Sequence, residues 1–252
     1  MSQPAAQAQR QPILAHLNEA RLRLTWALVG LALATGVSFF FAADLLQLLI
    51  APYGEQLQTL SPTEGLETYF KVALAVGVAL SMPWTLLQLW EFVAPALHPG
   101  ERRLAFVFIP AATLLFLLGI AFAWFVLLPS AVRFLESFMP GLFAPNWTSR
   151  EYISFATTFL LWIGLSFEMP LLIYLLARLG VVTARTLREG WRVALVAIAV
   201  LAAAITPSID PLTMLLTMIP LLLLYLLSIG LAAVGGRQFA RRVALDEAPP
   251  GA

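Results

Sequence analysis

Cysteine is absent from this 252-residue chain, and histidine occurs only twice. Without cysteine the chain can form no disulfide and no thiolate metal site, and it has no cysteine nucleophile. The two histidines, His16 and His98, lie far apart in the sequence, which argues against a histidine-rich metal centre. We therefore expect a protein that works without a metal ion or another cofactor.

Charge is also scarce, because charged residues make up 12% of the chain while hydrophobic residues make up 60%. An ordinary soluble domain has about 25% charged and about 45–50% apolar residues. A globule of 252 residues cannot bury such an excess of apolar side chains, so lipid must cover much of its surface. The net charge of +1 is too small to indicate binding to nucleic acid.

The apolar runs predict an all-α integral membrane protein with a six-helix transmembrane domain over residues 13–236. The polar residues 1–12 are predicted to be disordered, residues 13–24 to form an interfacial helix, and residues 237–252 to form a cytoplasmic tail. A second short interfacial helix is predicted over residues 45–50. The six predicted spans cover about residues 22–43, 69–89, 104–128, 152–179, 193–205 and 212–234.

The fifth predicted span is unusually short. Residues 193–205 would extend over about 20 Å as a helix, whereas the hydrocarbon core of a bilayer is about 30 Å thick. Its outer end therefore lies either in thinned or wetted membrane or among neighbouring helices that bury it, and the sequence leaves both possibilities open.

Lys and Arg residues are concentrated on one side of the predicted spans. Twelve of the 15 lie in the N-terminal segment, in the loops 90–103 and 178–192, and in the tail. The other three are Lys71, Arg133 and Arg150. Because Lys and Arg are enriched in cytoplasmic segments, this distribution predicts that both termini are cytoplasmic.

Residues 90–103 place polar chemistry between two apolar runs. The stretch contains two carboxylates, Glu91 and Glu101, and its prolines, Pro95 and Pro99, prevent one continuous helix. We expect a rigid, charged loop at the membrane surface. The alternative is purely topological: the two arginines after Glu101 hold a helix end on the cytoplasmic side, and Glu101 itself suits a helix N-terminus.

Glu168 lies near the middle of the fourth predicted span. A charge at the bilayer centre costs about 2.5–3.5 kcal/mol on insertion scales, so such a residue usually faces protein or a wet cavity and serves a function. Pro170 removes one backbone hydrogen bond and is expected to bend the helix at the same level. The alternative is a neutral Glu168 that is hydrogen-bonded to a neighbouring helix.

Several short pieces of the sequence together resemble the TatC family, the six-span core subunit of the twin-arginine protein translocase. The similarity covers roughly residues 16–236, and the pieces are specific in combination although each alone is weak. They are His16-Leu17-Asn18-Glu19-Ala20-Arg21, Ala51-Pro52, Ser61-Pro62-Thr63-Glu64, Phe92-Val93-Ala94-Pro95-Ala96-Leu97 with Glu101-Arg102-Arg103, Phe167-Glu168-Met169-Pro170, and Thr206-Pro207.

The resemblance implies a curved, glove-like arrangement of six helices in the cytoplasmic (inner) membrane. It implies a protein-transport function rather than an enzymatic one: a receptor for the twin-arginine signal peptides of folded precursor proteins. Such a receptor works with the single-span subunits TatA and TatB, uses the proton motive force, and is expected as a homo-oligomer within a TatBC-type complex.

The resemblance also assigns signal-peptide binding to particular residues. Glu19 and Glu101 match the recognition positions, and Phe92, Arg21 and Arg103 match neighbouring motif positions. The chemistry agrees, because a guanidinium group presents paired donors for which carboxylates are the best partners. Two adjacent arginines need two separated acceptors, since one carboxylate cannot satisfy both.

Other matched positions lie away from this surface. Glu168 matches an intramembrane acid, and we expect it to dock a polar residue of a partner's transmembrane helix. Pro52 and Glu64 match structural positions in the first outer loop. Asp210 matches an acid in the last outer loop.

Two other classes of function are open to a multi-span protein. A proton-coupled secondary transporter would use Glu168 as its proton carrier, but it would have paired discontinuous helices and usually more spans. An intramembrane enzyme lacks a nucleophile–base pair, because both histidines are predicted at the cytoplasmic edge and the HExxH, GxSxG and P-loop motifs are absent.

Overall fold

The structure, a computed structural model, describes residues 4–54, 56–94, 105–137, 146–206 and 211–246. Within these ranges the only β-type pairing is an isolated bridge between Gln58 and Thr148, and the remainder is helices, turns and short irregular segments. The elements are α1 (Pro4–Ser38), α2 (Ala42–Ile50), α3 (Glu64–Val93), α4 (Ala105–Phe122), a π-helical turn (Ala123–Leu127), α5 (Leu128–Ser137), α6 (Ser149–Ser166), α7 (Met169–Arg178), α8 (Ala184–Glu189), α9 (Trp191–Ile205) and α10 (Pro211–Asp246).

Five helical segments in the described ranges are long and apolar enough to cross a membrane. A sixth apolar helix, α9, has 15 residues and is therefore about 22 Å long, less than the thickness of a bilayer core. These helices confirm the predicted all-α, multi-span membrane architecture and its short fifth span. The five long segments are His16–Ser38, Glu64–Val93, Ala105–Ser137, Ser149–Arg178 and Thr213–Arg241.

The first helix differs from its prediction at both ends. α1 begins at Pro4, so residues 4–12 are helical rather than disordered. Alanine, glutamine and arginine dominate this segment and are good helix formers, and proline is tolerated in a first helical turn. α1 ends at Ser38, five residues before the predicted end of the first span, and α2 then covers the short helix predicted over residues 45–50.

Two further helices extend beyond their predicted spans. The third span is predicted to end at residue 128, but α5 passes through Pro129 and ends at Ser137. The π-helical turn precedes this proline, and its wider backbone lies where a regular α-helix would clash with a proline ring. α10 ends at Asp246, so the predicted tail begins with helical residues 237–246.

α1 packs antiparallel on α3. The Trp84 Nε1 atom donates a hydrogen bond to the carbonyl oxygen of Trp26 at 2.8 Å, and the Tyr69 hydroxyl donates to the carbonyl oxygen of Phe39 at 2.6 Å. The two helices approach closely, because a Cβ atom at Gly30 would collide with the indole ring of Trp84. This packing brings the beginning of α1 to the end of α3.

The largest buried cluster joins α6 to α2, α3, the π-helical turn, α5, α9 and α10. Tyr152 and Phe159 of α6 are fully buried in it. Next to this cluster α4 and α6 cross at two glycines. A Cβ atom added to Gly119 would lie 2.9 Å from the Cα atom of Gly164, so the contact leaves no room for a side chain.

The fourth span is interrupted near its middle. α6 ends at Ser166 and α7 begins at Met169, so Phe167 and Glu168 form a turn between the two helices. The amide of Glu168 donates to the carbonyl oxygen of Leu165 at 3.1 Å, three residues earlier rather than four. Pro170 lies in the first turn of α7. The break between α6 and α7 confirms the predicted interruption at the level of Glu168.

Candidate functional site

The beginning of α1 and the end of α3 form one continuous surface. The imidazole ring of His16 stacks on the ring of Phe92, with 4.5 Å between ring centroids and an interplanar angle of 22°. His16 is exposed and Phe92 is half-buried, so the edge of the pair is accessible from outside the chain. We call this the α1–α3 surface and define it by His16, Glu19, Arg23, Glu91 and Phe92.

A guanidinium group lies between two carboxylates on the α1–α3 surface. The Nη1 atom of Arg23 forms an ion pair with Oε2 of Glu91, and its Nη2 atom lies 3.9 Å from Oε1 of Glu19. The three side chains are only partly buried, with exposed fractions of 30% for Arg23, 32% for Glu19 and 42% for Glu91. The surface is therefore both charged and open to a ligand.

A groove of about 270 Å³ runs between α1 and α3 beside this ion pair. Its walls are mainly apolar. Two of the residues that line it each have one buried polar atom without a hydrogen-bond partner in the described part of the chain: Nε of Arg23 and Oε1 of Gln88. The side chain of Gln88 is buried. The groove thus places an apolar channel directly next to charged and polar groups. It is lined by Ala20, Arg23, Leu24, Ala27, Thr85, Gln88, Leu89 and Phe92.

The structure brings together two of the five predicted signal-peptide residues. Glu19 and Phe92 share the α1–α3 surface, whereas Arg21 is exposed on α1 and has no side-chain hydrogen bond or ion pair with any described residue. Glu101 and Arg103 lie outside the described residues. The residues that flank their segment, Ala94 and Ala105, pack against one cluster formed by Trp90, Phe108 and Leu175.

Sequence reasoning missed the roles of Glu91 and Gln88 on this surface. The i,i+4 spacing of Glu19 and Arg23 predicts an ion pair, but the carboxylate in closer contact with Arg23 is that of Glu91. A signal for Glu91 was present, since it is a carboxylate beside Phe92 in the polar stretch after the second span. Only the antiparallel packing of α1 and α3 connects it with Arg23.

At the opposite end of α3, Glu64 connects two parts of the chain. Its Oε2 atom accepts hydrogen bonds from the amides of Leu60 at 2.7 Å and Ser61 at 3.3 Å. Its Oε1 atom accepts from the Ser149 hydroxyl at 2.9 Å and from the Arg150 amide at 2.8 Å. Glu64 therefore joins the segment before α3 to the first turn of α6 and caps that helix, which is a structural arrangement.

Pro52 belongs to the same end of the molecule. It lies in the turn after α2, where the Tyr53 amide donates to the carbonyl oxygen of Ile50 at 2.9 Å. The Tyr53 ring lies 5.8 Å from the Trp147 ring and 5.7 Å from the Tyr152 ring, measured between centroids. Asp210, the third residue predicted for the outer loops, lies outside the described residues.

Glu168 is buried, with 3% of its surface exposed. Its Oε1 atom has no hydrogen-bond partner within the described part of the chain. The neighbouring ring of Phe167 lies 5.8 Å from that of Phe122 and contacts α4 at Gly119. Glu168 is therefore a separate polar position in the middle of the membrane domain, and it is not part of the α1–α3 surface.

The model of one protein family, "TatC: Sec-independent protein translocase protein (TatC)", matches residues 15–220. The chain belongs to the TatC family. The matched residues include α1 from residue 15 onward, α3, and the interrupted span with Glu168. The match therefore covers the α1–α3 surface and the buried position of Glu168. It confirms the resemblance that the sequence motifs indicate.

Individual TatC proteins agree with this membership over most of their length. The Sec-independent protein translocase protein TatC of Deinococcus radiodurans is 38% identical over 232 residues, which are 88% of this chain and 86% of that protein. The TatC protein of Aquifex aeolicus is 37% identical over 234 residues, which are 90% of this chain and 97% of that protein.

Two solved structures of TatC share the fold of this chain. A crystal structure of the twin arginine translocase receptor TatC has a TM-score of 0.80 and 37% sequence identity, and the match covers 87% of this chain and 99% of the other. A crystal structure of the same receptor in DDM also has a TM-score of 0.80, with 38% identity over 86% of this chain and 99% of the other. The helices are thus arranged as in TatC.

Proposed function

We propose that this TatC chain is the receptor subunit of a twin-arginine protein translocase and binds the twin-arginine signal peptides of folded precursor proteins. The observation that carries the proposal is that α1 and α3 bring Glu19 and Phe92, which are far apart in the sequence, onto one accessible surface. The name of the solved relatives, twin arginine translocase receptor, supports the same function.

The chemistry of the α1–α3 surface suits an arginine ligand. The surface already holds one guanidinium group, that of Arg23, against two carboxylates. A carboxylate accepts two parallel hydrogen bonds from a guanidinium group, whereas a lysine ammonium group offers only a point charge. We propose Glu101 as the acceptor of the second peptide arginine, with Arg21 and Arg103 as neighbouring residues of the binding surface.

The groove beside the ion pair suits the apolar part of a signal peptide. It begins at Phe92 and continues between Leu24 of α1 and Leu89 of α3, both of which are exposed hydrophobic residues. A peptide bound with its arginines at Glu19 would therefore place the following apolar residues along lipid-facing helices. The arginines and the apolar segment of such a peptide would thus bind to adjacent parts of one continuous site.

We further propose that the chain lies in the cytoplasmic membrane with both termini in the cytoplasm. Twelve of its 15 Lys and Arg residues are assigned to that side, and the positive-inside rule supports the orientation. The α1–α3 surface would then face the compartment in which precursor proteins fold. In this role the chain acts without catalytic residues, as a homo-oligomer with TatA and TatB, and transport draws on the proton motive force.

Glu168 is proposed as a docking point for a polar residue in the transmembrane helix of a partner subunit. Its Oε1 atom has no hydrogen-bond partner among the described residues, which supports this role, because a buried polar atom gains stability from such a partner. The burial of Glu168 requires that the partner's side chain reach it between the helices rather than from the lipid face. A proton-coupled transporter with Glu168 as proton carrier is the alternative, and uptake of a small solute by purified protein in liposomes would favour it.

Peptide binding to the purified chain in detergent tests the receptor function. A labelled synthetic signal peptide with paired arginines should bind more tightly than the same peptide with paired lysines. Glu19→Ala and Glu101→Ala should each weaken binding of the arginine peptide, by about tenfold for a charge-assisted contact. The effect of Glu101→Ala should be the larger one, because Pro95 and Pro99 restrict its segment and reduce the entropy lost on binding.

Glu189→Ala provides a matched control. Glu189 is an exposed acid that pairs with Arg185 at 2.7 Å in α8, outside the proposed surface. Its removal should leave peptide binding unchanged. If the parent chain and both site variants bind the arginine peptide equally well, the proposed binding surface is wrong.

A further inference from the structure

We propose that Arg23 is an internal stand-in for a signal-peptide arginine: its guanidinium group occupies Glu19 and Glu91 until an arginine of the peptide displaces it. Glu91 thereby becomes a further peptide-binding residue. The inference rests on the proposed receptor function, since it describes how the same surface exchanges one guanidinium group for another.

The position of Arg23 is that of a ligand on the α1–α3 surface. Its guanidinium group contacts Glu91 of α3 through one terminal nitrogen and approaches Glu19 of its own helix through the other. Glu19 is one of the acids proposed to receive a peptide arginine. Arg23 and that arginine therefore compete for the same carboxylates, because they present the same group.

The ion pair of Arg23 contributes little to the stability of the chain, so it can open when a competing guanidinium group arrives. All three side chains are partly exposed, and partly exposed ion pairs contribute little to stability. The Nε atom of Arg23 is buried without a partner within the described residues, so its guanidinium group is not fully satisfied where it lies. Breaking the contact between Arg23 and Glu91 therefore costs little free energy, and Glu19 and Glu91 then become available to a ligand.

The groove offers the displaced side chain another partner. Oε1 of Gln88 is a buried acceptor without a hydrogen bond in the described part of the chain, and Gln88 and Arg23 both belong to the residues that line the groove. A guanidinium group that leaves Glu91 can donate to this oxygen once the Gln88 side chain turns toward the groove.

Competition with Arg23 lowers the affinity of the surface for cationic peptides, and the two acids themselves distinguish arginine from lysine. Glu19, Glu91 and Arg23 together have a net charge of −1, so any cationic peptide is attracted to them. A peptide arginine replaces the hydrogen bonds of Arg23 with equivalent ones. A lysine ammonium group cannot reproduce the planar fork, so it binds the two acids more weakly, whereas the closed ion pair lowers the affinities for both peptides by the same factor.

The test compares Arg23→Gln with the parent chain, using the purified full-length protein and labelled signal peptides with paired arginines or paired lysines. Removing the internal competitor should tighten binding of the arginine peptide by about two- to fivefold, the range expected for a partly exposed ion pair. It should tighten binding of the lysine peptide by a similar factor, so the preference for arginine, which comes from the two acids, stays the same. Adding Glu91→Gln to Arg23→Gln should weaken binding of both peptides again.

Arg185→Gln is the matched control, because it removes an equal charge from an exposed ion pair in α8 and should leave both affinities unchanged. If Arg23→Gln does not fold, Arg23→Lys replaces it in the test. Arg23→Lys should also tighten peptide binding, but by a smaller factor. Arginine-peptide binding that is unchanged or weaker in the folded Arg23 variant overturns the inference. A parent chain that does not prefer the arginine peptide overturns the receptor proposal instead, so the two failures are distinguishable.

Discussion

The ring of His16 in α1 stacks on the ring of Phe92 in α3, with 4.5 Å between their centroids. These residues belong to helices that run antiparallel, so the contact marks the place where the start of one meets the end of the other. Glu19 lies one helical turn from His16, and Glu91 directly precedes Phe92. The stack therefore sets the relative position of the two acids that flank Arg23.

Phe92→Ala should weaken binding of a twin-arginine peptide and lower the stability of the chain slightly. The variant removes an aromatic stack, which is worth about 0.5–1.5 kcal/mol, and one wall of the groove. Fluorescence binding titration and thermal unfolding in detergent measure the two effects. Phe125→Ala is the control, because Phe125 is 75% exposed on the π-helical turn and should affect neither binding nor stability. Equal peptide affinity in Phe92→Ala and the parent would exclude Phe92 from the site.

Glu64→Gln should lower the melting temperature of the chain without changing peptide affinity. The Glu64 carboxylate accepts four hydrogen bonds, two at each oxygen, and the NH2 group of glutamine cannot accept the two at whichever oxygen it replaces. Thermal unfolding in detergent measures the melting temperature, and the peptide titration measures the affinity.

Glu67→Gln is the matched control for Glu64→Gln. Glu67 lies one turn further along α3 and pairs with Arg150 at 2.8 Å, but both side chains are about half exposed. Loss of such a pair should change the melting temperature little. Equal melting temperatures for the two variants would mean that the Glu64 hydrogen bonds do not brace this end of the molecule.

Gly119→Ala should destabilise the chain by about 1–3 kcal/mol, the usual cost of overpacking. The new methyl group would lie 2.9 Å from the backbone of Gly164 and 2.8 Å from the ring of Phe167, so α4 and α6 would have to separate. Gly36→Ala is the control, because a Cβ atom at Gly36 meets nothing within 4 Å and alanine favours a helix. Unfolding by denaturant should rank Gly119→Ala below the parent and Gly36→Ala at or above it. The opposite order would refute the close crossing.

Glu168→Ala should reduce association with partner subunits while leaving peptide binding intact. An intramembrane hydrogen bond is worth about 1–2 kcal/mol, which corresponds to about a five- to thirtyfold loss of affinity. Site-specific crosslinking between the α6–α7 span and the helices of partner subunits measures this association, and Glu168→Gln should retain part of it. A crosslinking pattern that is identical in Glu168→Ala and the parent would remove the docking role.

Individual elements differ in how far the sequence predicts them. The short α9 follows from a count of apolar residues, and the interruption beside Glu168 follows from Pro170, because both are local properties. Pro129 led to the wrong prediction that the third span ends at residue 128. A π-helical turn, which cannot be predicted from the local sequence, lets the helix continue to Ser137. The extension of α1 to Pro4 was also missed, because low hydrophobicity alone does not prevent a helix of good formers.

The candidate site shows the same division. The motifs with Glu19 and Phe92 are visible in the sequence and carry the resemblance to TatC. Neither the contact of Arg23 with Glu91 nor the groove with Gln88 can be predicted from spacing, since both depend on which face of α1 meets α3. That choice is made by close-packed contacts such as Gly30 against Trp84.

By itself, the sequence of this chain determined that it is a helical membrane protein of the TatC family. Hydrophobic runs, breaks at prolines and short motifs are local, and they are read without knowing which helices touch. The contact of Arg23 with Glu91, the position of the groove and the crossing of helices at glycines follow from how the helices pack in three dimensions. Those relationships join residues on different helices, and they depend on side-chain packing that no single segment specifies.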